Sequence, residues 1–392
     1  MVLDLAEKRK RFRSLLSFSA FHFLDDGFTD SLYLLLPFIA AELNLSFSQV
    51  GLLKGIFSGS TGLFQFPLSL LGEKIGELIV IAFGTFGLAI GFLILSRLHT
   101  FPAILMTLIF AKASGAGQHG LSSSILSRFY EVSGRRAAMG TYNFSGDLGK
   151  ICIPFTLTIM INLWDWRQAV FTLSIIGVVV GAVLYILVPK EKEYPWLFPH
   201  LKIATPEKRG WGIKNRKNFS ALLSIGIIDI SARNVLLTFL PFLLLQKGIP
   251  ITQLGFALTL LFVGGAIGKF ACGVLAEWFG IIPMVVGTEI LSFAGILSLI
   301  WLPSSLIWVV LPFIGIVLNG TSSVLYATVA EIFSPESRSR GYGLYYAITL
   351  GIGAISPMVF GLFSDSMGLT FTIIIISLMV LFTIPLSRHI SQ

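Results

Sequence analysis

The sequence predicts an all-α membrane protein whose twelve transmembrane helices form two pseudo-symmetric six-helix halves. Three observations support this prediction: the composition, a succession of long apolar segments, and a repeat within the chain. Of the 392 residues, 55% are hydrophobic and 12% are charged, whereas a soluble domain has roughly 25% charged residues. So few charges cannot cover a water-facing surface, and most of the chain must therefore face lipid.

Twelve apolar segments of bilayer-spanning length follow one another. A hydrocarbon core about 30 Å thick requires roughly 20 apolar residues per helix, and the unbroken runs differ from the alternating pattern of a β-barrel. The first six predicted spans are 14–40, 47–71, 78–97, 102–126, 138–160 and 168–188. The second six are 218–245, 251–276, 281–301, 305–332, 341–363 and 369–387. We therefore predict an N-terminal bundle at 1–188, a cytoplasmic linker at 189–217 and a C-terminal bundle at 218–392.

Lysine and arginine are distributed unevenly between the two sides of the predicted membrane. Twenty of the 28 lie on the side of the N-terminus, five fall within spans, and only Arg97, Arg167 and Lys247 lie on the opposite side. Because basic residues concentrate in cytoplasmic loops, we expect both termini and the linker in the cytoplasm of a cell (inner) membrane. This distribution explains the net charge of +8 without a nucleic-acid partner. We also expect a monomer without a cofactor.

The two halves are related by a repeat at a constant offset of 204 residues. The offset pairs Asp25 with Asp229, Pro37 with Pro241, Gln49 with Gln253, Gly51 with Gly255 and Gly76 with Gly280. Each half has an even number of spans, so both halves have the same orientation in the membrane. In transporters, parallel repeats of this kind bind substrate near the bilayer midplane, between the halves.

Two equivalent loops carry a motif that resembles the signature of the major facilitator superfamily. The segment 273–280 reads Gly-Val-Leu-Ala-Glu-Trp-Phe-Gly, and 69–76 reads Ser-Leu-Leu-Gly-Glu-Lys-Ile-Gly. Both have Glu in place of the usual Asp, and both lack the basic residues that usually follow the last glycine. The resemblance implies the major facilitator fold. An acid at a helix end can interact with a neighbouring helix dipole, and glycine permits a tight turn. We therefore predict gating roles for Glu73, Gly76, Gly273, Glu277 and Gly280.

Within that superfamily, the first half is similar to the fosmidomycin-resistance type of efflux protein. The similarity lies in His22 followed by Asp26, in the segment 45–52, in Gln65, and in 143–149, a stretch that ends at Pro154. This resemblance implies proton-coupled export.

Charged side chains within the spans are the candidate sites for coupling ions and substrate. A charge near the centre of a transmembrane helix costs roughly 2.5 kcal/mol or more and normally faces a cavity or a partner. On the first span, His22, Asp26 and Asp30 recur at four-residue spacing beside Asp25. Crowded acids disfavour simultaneous ionisation, so we predict proton coupling at Asp25, Asp26, Asp30 and His119. Alternatively, these acids cap helices, pair with a base or hydrogen-bond to neighbouring helices.

Basic and polar side chains on several spans are the predicted substrate-binding residues. They are His22, Lys112, Asn143, Asp147, Lys150, Asp229 and Arg233. Asp147 and Lys150, like Asp229 and Arg233, are also spaced to form structural ion pairs within one helix. Because bases nearly equal acids within the spans, we expect an anionic or zwitterionic solute, such as a carboxylate or phosphonate bound by Arg233. His119 has no convincing set of partner ligands in the sequence, so we predict no metal site.

These features predict a secondary active transporter rather than an enzyme or a channel. The sequence lacks a phosphate-binding loop, a nucleophile elbow and paired-ligand metal motifs. We expect alternating access by rocking of the two halves. Proton-coupled export of a small solute is the leading function, and proton-coupled uptake of a nutrient or organic anion is the alternative. A non-transporting membrane receptor or assembly factor is an alternative of another class.

Overall fold

The computed structural model describes residues 5–130, 134–188, 213–333 and 338–390. Within these ranges the chain forms α-helices, one 3-10 helix and a single isolated β-bridge. Nine helical segments in the described ranges are long and apolar enough to cross a bilayer. The protein is therefore an all-helical, multi-pass membrane protein.

The described helices follow the predicted spans closely. Those of the first half are α1 (Leu5–Leu43), α2 (Phe47–Ile75), α3 (Glu77–Leu95), α4 (Phe101–Gly115), α5 (Gln118–Phe129), α6 (Arg135–Leu163) and α7 (Trp166–Leu187). Those of the second half are α8 (Arg216–Gln246), α9 (Leu254–Phe279), α10 (Ile281–Trp301), α11 (Ser304–Ile332), α12 (Arg338–Met367), α13 (Leu369–Val380) and α14 (Thr383–Ser387). The fourth and twelfth predicted spans each consist of two helices, because the chain breaks after α4 and after α13.

The sequence repeat is visible in the backbone. Adding 204 to the bounds of α2 gives 251–279, which is the 3-10 helix followed by α9. The same offset relates Asn44 and Gly248, which follow α1 and α8 with φ of 51° and 80°. It also relates Gly76 and Gly280, whose φ angles are 110° and 86°. Positive φ is uncommon outside glycine, with Asn among the usual exceptions, so these turns share an unusual conformation.

The chain divides into two compact units. Unit 1 contains Met1–Leu32 and Ile56–Thr205, and unit 2 contains Tyr33–Gly55 and Pro206–Gln392. The end of α1 and the start of α2 therefore belong with the C-terminal helices. Residues 189–212, which form most of the predicted linker, lie outside the described ranges, and the bundle boundaries predicted from the sequence stay a prediction.

An aspartate of α12 holds the start of α2 within unit 2. The carboxylate of Asp365 accepts hydrogen bonds from the backbone N–H of Phe47 at 2.7 Å and of Ser48 at 2.9 Å. The first N–H groups of a helix have no hydrogen-bond partner inside the helix. A carboxylate accepts their hydrogen bonds, and its negative charge interacts favourably with the positive end of the helix dipole. Asp365 thus caps a helix from a distant part of the chain.

Glycines allow α9 and α11 to pack very closely in unit 2. A Cβ atom added to Gly264 would lie 1.9 Å from the backbone oxygen of Pro312, and one added to Gly268 would lie 2.1 Å from that of Ile316. From the other helix, a Cβ on Gly315 would lie 2.0 Å from the oxygen of Leu261. Small residues serve this purpose in membranes, where close van der Waals packing drives helix association.

Two of the three basic residues predicted to lie on the side opposite the N-terminus donate hydrogen bonds to carbonyl oxygens at helix ends. Arg167 donates to the backbone oxygens of Ser96 at 3.0 Å and Leu98 at 2.5 Å, just after α3. Lys247 donates to the oxygens of Ile300 at 2.9 Å and Leu302 at 2.7 Å, at the end of α10. The last carbonyls of a helix lack intrahelical partners, which gives these two cations a structural role.

Candidate functional site

Two adjacent acids of α1 each contact an ammonium group of another helix in unit 1. Asp25 is only 1% exposed, and Asp26 is also buried. Lys112, in the last turn of α4, places its Nζ 3.2 Å from Asp25 Oδ2 and 2.7 Å from Thr29 Oγ1. Lys150 of α6 places its Nζ 3.1 Å from Asp26 Oδ2. Each buried acid therefore has its own cation.

Two histidines complete this group, which we call the unit 1 cluster: His22, Asp25, Asp26, Lys112, His119 and Lys150. His22 Nδ1 lies 2.8 Å from the backbone oxygen of Tyr142, and its Nε2 lies 3.2 Å from Asp26 Oδ2. His119 Nε2 lies 3.5 Å from Asp26 Oδ1. The two imidazole rings meet edge to face with centroids 4.8 Å apart. The Tyr142 carbonyl favours a proton on His22 Nδ1, which leaves Nε2 directed at Asp26.

Small residues bring the helices of the unit 1 cluster together. The chain breaks between α4 and α5 at Ala116 and Gly117, so Lys112 ends one helix while His119 lies in the first turn of the next. A Cβ on Gly115 would lie 2.7 Å from an Asp25 carboxylate oxygen. A Cβ on Gly146 of α6 would lie 2.5 Å from His22 Cε1. The site therefore depends on glycine in α4 and in α6.

The remaining predicted residues of unit 1 lie at the edge of this cluster. Asp147 places Oδ1 3.7 Å from Lys150 Nζ, the within-helix contact that the spacing indicated. Asp30 is half-buried and interacts electrostatically with Lys150. Asn143 is exposed. The predicted grouping of acids and bases is thus present in the structure, whereas proton and substrate roles stay predictions.

His119 has neighbours of metal-ligating type in the structure, and the absence of a metal site stays a prediction. Ligand atoms of His22, Asp26 and His119 lie within 4.8 Å of one another, a spacing that a metal ion could use. The two ammonium groups nevertheless lie 3.1 and 3.2 Å from the carboxylates of this cluster. Lys150 competes with a cation for the Asp26 oxygen, so the arrangement suits protons or anions better than a metal.

In unit 2, a serine joins the equivalent acid to a guanidinium. Ser322 Oγ donates to Asp229 Oδ2 at 2.8 Å and accepts from Arg233 Nη1 at 2.7 Å. The same Nη1 lies 3.4 Å from Asn319 Oδ1. Asp229, Arg233 and Ser322 line a tightly packed recess together with Tyr326, Tyr345 and Thr349. Among the described residues, Arg233 has no carboxylate within ion-pairing distance, so the predicted direct pair with Asp229 does not form.

The repeat shows how the two units differ in charge. Asp25 and Asp229 are equivalent positions, but the cation beside them comes from different helices. In unit 1 it is Lys112 of α4, which contacts Thr29. In unit 2 the position equivalent to Thr29 is Arg233, and Ile316 occupies the place of the lysine. The cation near the acid therefore lies on a neighbouring helix in unit 1 and on the acid's own helix in unit 2.

Sequence reasoning missed several polar residues of these sites. Glu289 on α10 is 1% exposed. It could have been singled out from the sequence, because it is the only charged residue of that helix. Gln118 is buried beside His119, and neither its Oε1 nor its Nε2 has a hydrogen-bond partner in the described part of the chain. Asn319 and Ser322 contact Arg233, but an uncharged residue in a glycine- and serine-rich span gives no signal by itself.

The predicted gating residues lie where α2 meets α3 and where α9 meets α10. Gly76 and Gly280 are the single residues between these helices, and both have positive φ. Glu277 is exposed near the end of α9. Gly273 lies inside α9 with no atom within 4 Å of an added Cβ, so a tight turn does not require glycine there. The side chain of Glu73 lies outside the described part of the structure.

An all-helical membrane protein with buried acids and bases in both of its units has the character of a secondary transporter rather than an enzyme. A family model described as Major Facilitator Superfamily matches residues 17–321 and 222–389. The chain belongs to this superfamily.

Curated relatives and solved structures agree with this assignment. The chain is 23% identical over 254 residues to a probable L-galactonate transporter of Escherichia coli K12, a match that covers 61% of this chain and 56% of that relative. It is 24% identical over 339 residues to an uncharacterized MFS-type transporter of Methanocaldococcus jannaschii, covering 84% of this chain and 86% of that one. The chain thus matches only a little over half the length of the first relative.

The solved structures establish the fold. A bacterial homologue of the human lysosomal transporter Spinster, in an inward-facing and occupied conformation, has a TM-score of 0.79 at 16% identity, covering 97% of this chain and 96% of that one. The nucleoside transporter NupG, in a mutant form, has a TM-score of 0.78 at 13% identity, covering 97% of this chain and 100% of that one. At these identities the likeness concerns the fold alone.

Proposed function

We propose that this protein is a proton-coupled secondary transporter of a small anionic or zwitterionic solute, built of twelve spans in two six-helix halves. The observation that carries this proposal is Arg233 in its recess, with hydroxyl and amide neighbours and no carboxylate at ion-pairing distance among the described residues. A cation within a membrane span normally has a counter-ion. A carboxylate or phosphonate would accept two parallel hydrogen bonds from the guanidinium.

The acids of the unit 1 cluster are the proposed coupling groups. Asp25 and Asp26 are buried, and each is held by one ammonium group at 3.1–3.2 Å. Protonation of Asp26 would weaken its hold on Lys150 and leave this cation with only its longer contact to Asp147. A proton thereby changes the charge available to an anionic solute, and a ligand shifts a conformational equilibrium only through such differential affinity.

Two directions of transport follow from different arguments. The similarity of the first half to the fosmidomycin-resistance type supports export by proton antiport. The charges favour the second candidate, proton-coupled uptake. If an anion engages Arg233, Asp229 loses the positive field that stabilises its charge and gains affinity for a proton. Anion and proton then bind the same state together, as symport requires. The word L-galactonate in the name of one relative describes a sugar acid, which fits such an anion.

The proposed placement is the cell (inner) membrane, with both termini in the cytoplasm and the protein working as a monomer. The uneven distribution of lysine and arginine supports this orientation. A receptor or assembly factor would have no need for buried acids and bases within the spans of both units, so we favour transport over that class.

The test is transport by purified protein in proteoliposomes, with radiolabelled L-galactonate as the first probe and a nucleoside as an uncharged competitor. We expect a proton gradient to drive solute movement, inward with the protons for symport and against them for antiport. Arg233→Gln should abolish binding and flux, whereas Arg388→Gln, which alters an exposed arginine, should not. Uptake of a labelled cation without competition from any anion would contradict the proposal.

Coupling is tested separately from binding. Asp26→Asn or Asp30→Asn should abolish gradient-driven accumulation while leaving counterflow exchange largely intact, because exchange needs binding and alternation but no net proton movement. Normal accumulation in both variants would remove these acids from the coupling mechanism.

A further inference from the structure

A buried carboxyl group lies in unit 2 outside the site described above. Glu289 is 1% exposed in the middle of α10, and its Oε1 has no hydrogen-bond partner within the described residues. The helices packed against α10 are α9, α11, α13 and α14. Neither α13 nor α14 contains a charged residue. An isolated carboxylate in such surroundings is very costly, and a buried group without a cation normally neutralises instead.

A chain of hydroxyl groups lies beside Glu289. Thr288 Oγ1 donates to the backbone oxygen of Met284 at 2.8 Å, and Thr321 Oγ1 lies 2.7 Å from Thr288 Oγ1. Thr321 is also the hydrogen-bonding neighbour of the Glu289 side chain. A hydroxyl group can donate to a carboxylate, and its oxygen can accept from a protonated carboxyl group, so Thr321 is the acceptor when Glu289 carries a proton.

Asp229, the acid of the unit 2 site, interacts electrostatically with Glu289. Adjacent residues of α11 connect the two, because Thr321 contacts Glu289 while Ser322 donates to Asp229 at 2.8 Å. The charged residues of α9 are Lys269 and Glu277, and neither contacts Glu289 in the described part of the structure. The charge on Asp229 therefore sets the affinity of Glu289 for its proton more directly than any cation does.

We propose that Glu289 is a proton-binding site of unit 2, occupied in the state described, whose proton is gained and lost as the charge beside Asp229 changes. This inference deepens the proposed function and rests on it. A solute anion that engages Arg233 reduces the positive field at Asp229, which makes the surroundings more negative and holds the proton on Glu289. Departure of the anion restores that field and lowers the affinity of Glu289 for its proton. Binding of the anion and binding of the proton thus favour each other.

Infrared difference spectroscopy of the purified protein in lipid tests the proton directly, without a solute. A protonated carboxyl group has a carbonyl stretch that shifts in D₂O. We expect Glu289→Gln to lose one such band that the wild type shows at neutral pH and loses at alkaline pH. Glu331→Gln, a matched change of an exposed glutamate on α11, should keep it. In Asp229→Asn the band should disappear at lower pH than in the wild type, because a neighbouring negative charge has gone.

A second variant covers the case in which Glu289→Gln does not fold. Thr321→Val removes the acceptor but keeps Glu289, so the band should move in frequency and not vanish. Identical spectra of wild type, Glu289→Gln and Thr321→Val would overturn the proposal, since Glu289 would then be ionised. A band that persists at every pH at which the protein stays folded would also overturn it, since the proton would never leave.

Transport distinguishes failure of this inference from failure of the proposed function. If Glu289→Gln accumulates L-galactonate on a proton gradient as well as the wild type does, Glu289 has no part in coupling and the proposed function stands. If the wild type moves no anionic solute on a proton gradient, the proposed function fails, and the infrared result still decides whether Glu289 binds an exchangeable proton.

Discussion

Replacing Gly268 by alanine should destabilise unit 2 by forcing α9 away from α11. The added Cβ would lie 2.1 Å from the backbone oxygen of Ile316, whereas real Cβ atoms essentially never approach within 3.0 Å. The helices must therefore separate by about 1 Å, and no flexible side chain can absorb the movement. Overpacking costs about 1–3 kcal/mol. Because the clash is with a backbone atom, the cost should lie at the upper end of this range. We therefore expect the melting temperature to fall by on the order of 10 °C.

Gly287→Ala is the matched control, because a Cβ at this position of α10 meets no atom within 4 Å. Alanine is favoured over glycine in helices by roughly 1 kcal/mol, so this variant should be unchanged or slightly more stable. The assay is thermal unfolding in detergent, followed by size-exclusion chromatography of the remaining folded protein. Equal melting temperatures for the two variants would refute the argument that glycine sets the α9–α11 distance.

Three further predictions concern buried charges and a helix cap. Lys150→Met alone should lower the free energy of unfolding by about 3–5 kcal/mol, because Asp26 is left buried without its cation. The double variant with Asp26→Asn should recover most of that loss. Additive losses in thermal unfolding would show that the pair does not interact. Arg233→Lys should raise the KM for a carboxylate solute by about tenfold, because an ammonium cannot donate two parallel bonds; an unchanged KM would mean that Arg233 does not bind solute. Asp365→Ala should cost about 1 kcal/mol through loss of the cap on α2, while Asp365→Asn, which keeps an acceptor oxygen, should lose less in the same assay.

The helices could be predicted from the sequence because long apolar runs have few alternatives in a membrane. The break at Ala116 and Gly117 could not. The equivalent segment of α11, which contains Gly320, is one continuous helix, so a glycine in such a run does not by itself end a helix. That break separates Lys112 from the helix of His119, and it shapes the unit 1 cluster.

The candidate sites were predictable as sets of residues but not as pairs. Four-residue spacing placed His22, Asp26 and Asp30 on one face of α1, which the structure matches. The partner of each acid depends on which helix packs there, and spacing within a helix cannot show this. Asp25 meets Lys112 from a helix 87 residues away, and Arg233 reaches Asp229 only through Ser322. Glu289 was overlooked although its lone charge in an apolar helix was visible.

The backbone angles shared by the two halves carry information about the order of events in the history of this chain. Gly76 and Gly280 hold the same positive-φ joint at the same place in each half, and no L-residue with a side chain adopts it readily. The ancestral half therefore already had this joint when the gene was duplicated. The substitution that made Arg233 differ from Thr29 came after the duplication, in a backbone that already had these joints. The difference in charge between the two sites is thus younger than the backbone joints and the acid that the halves share.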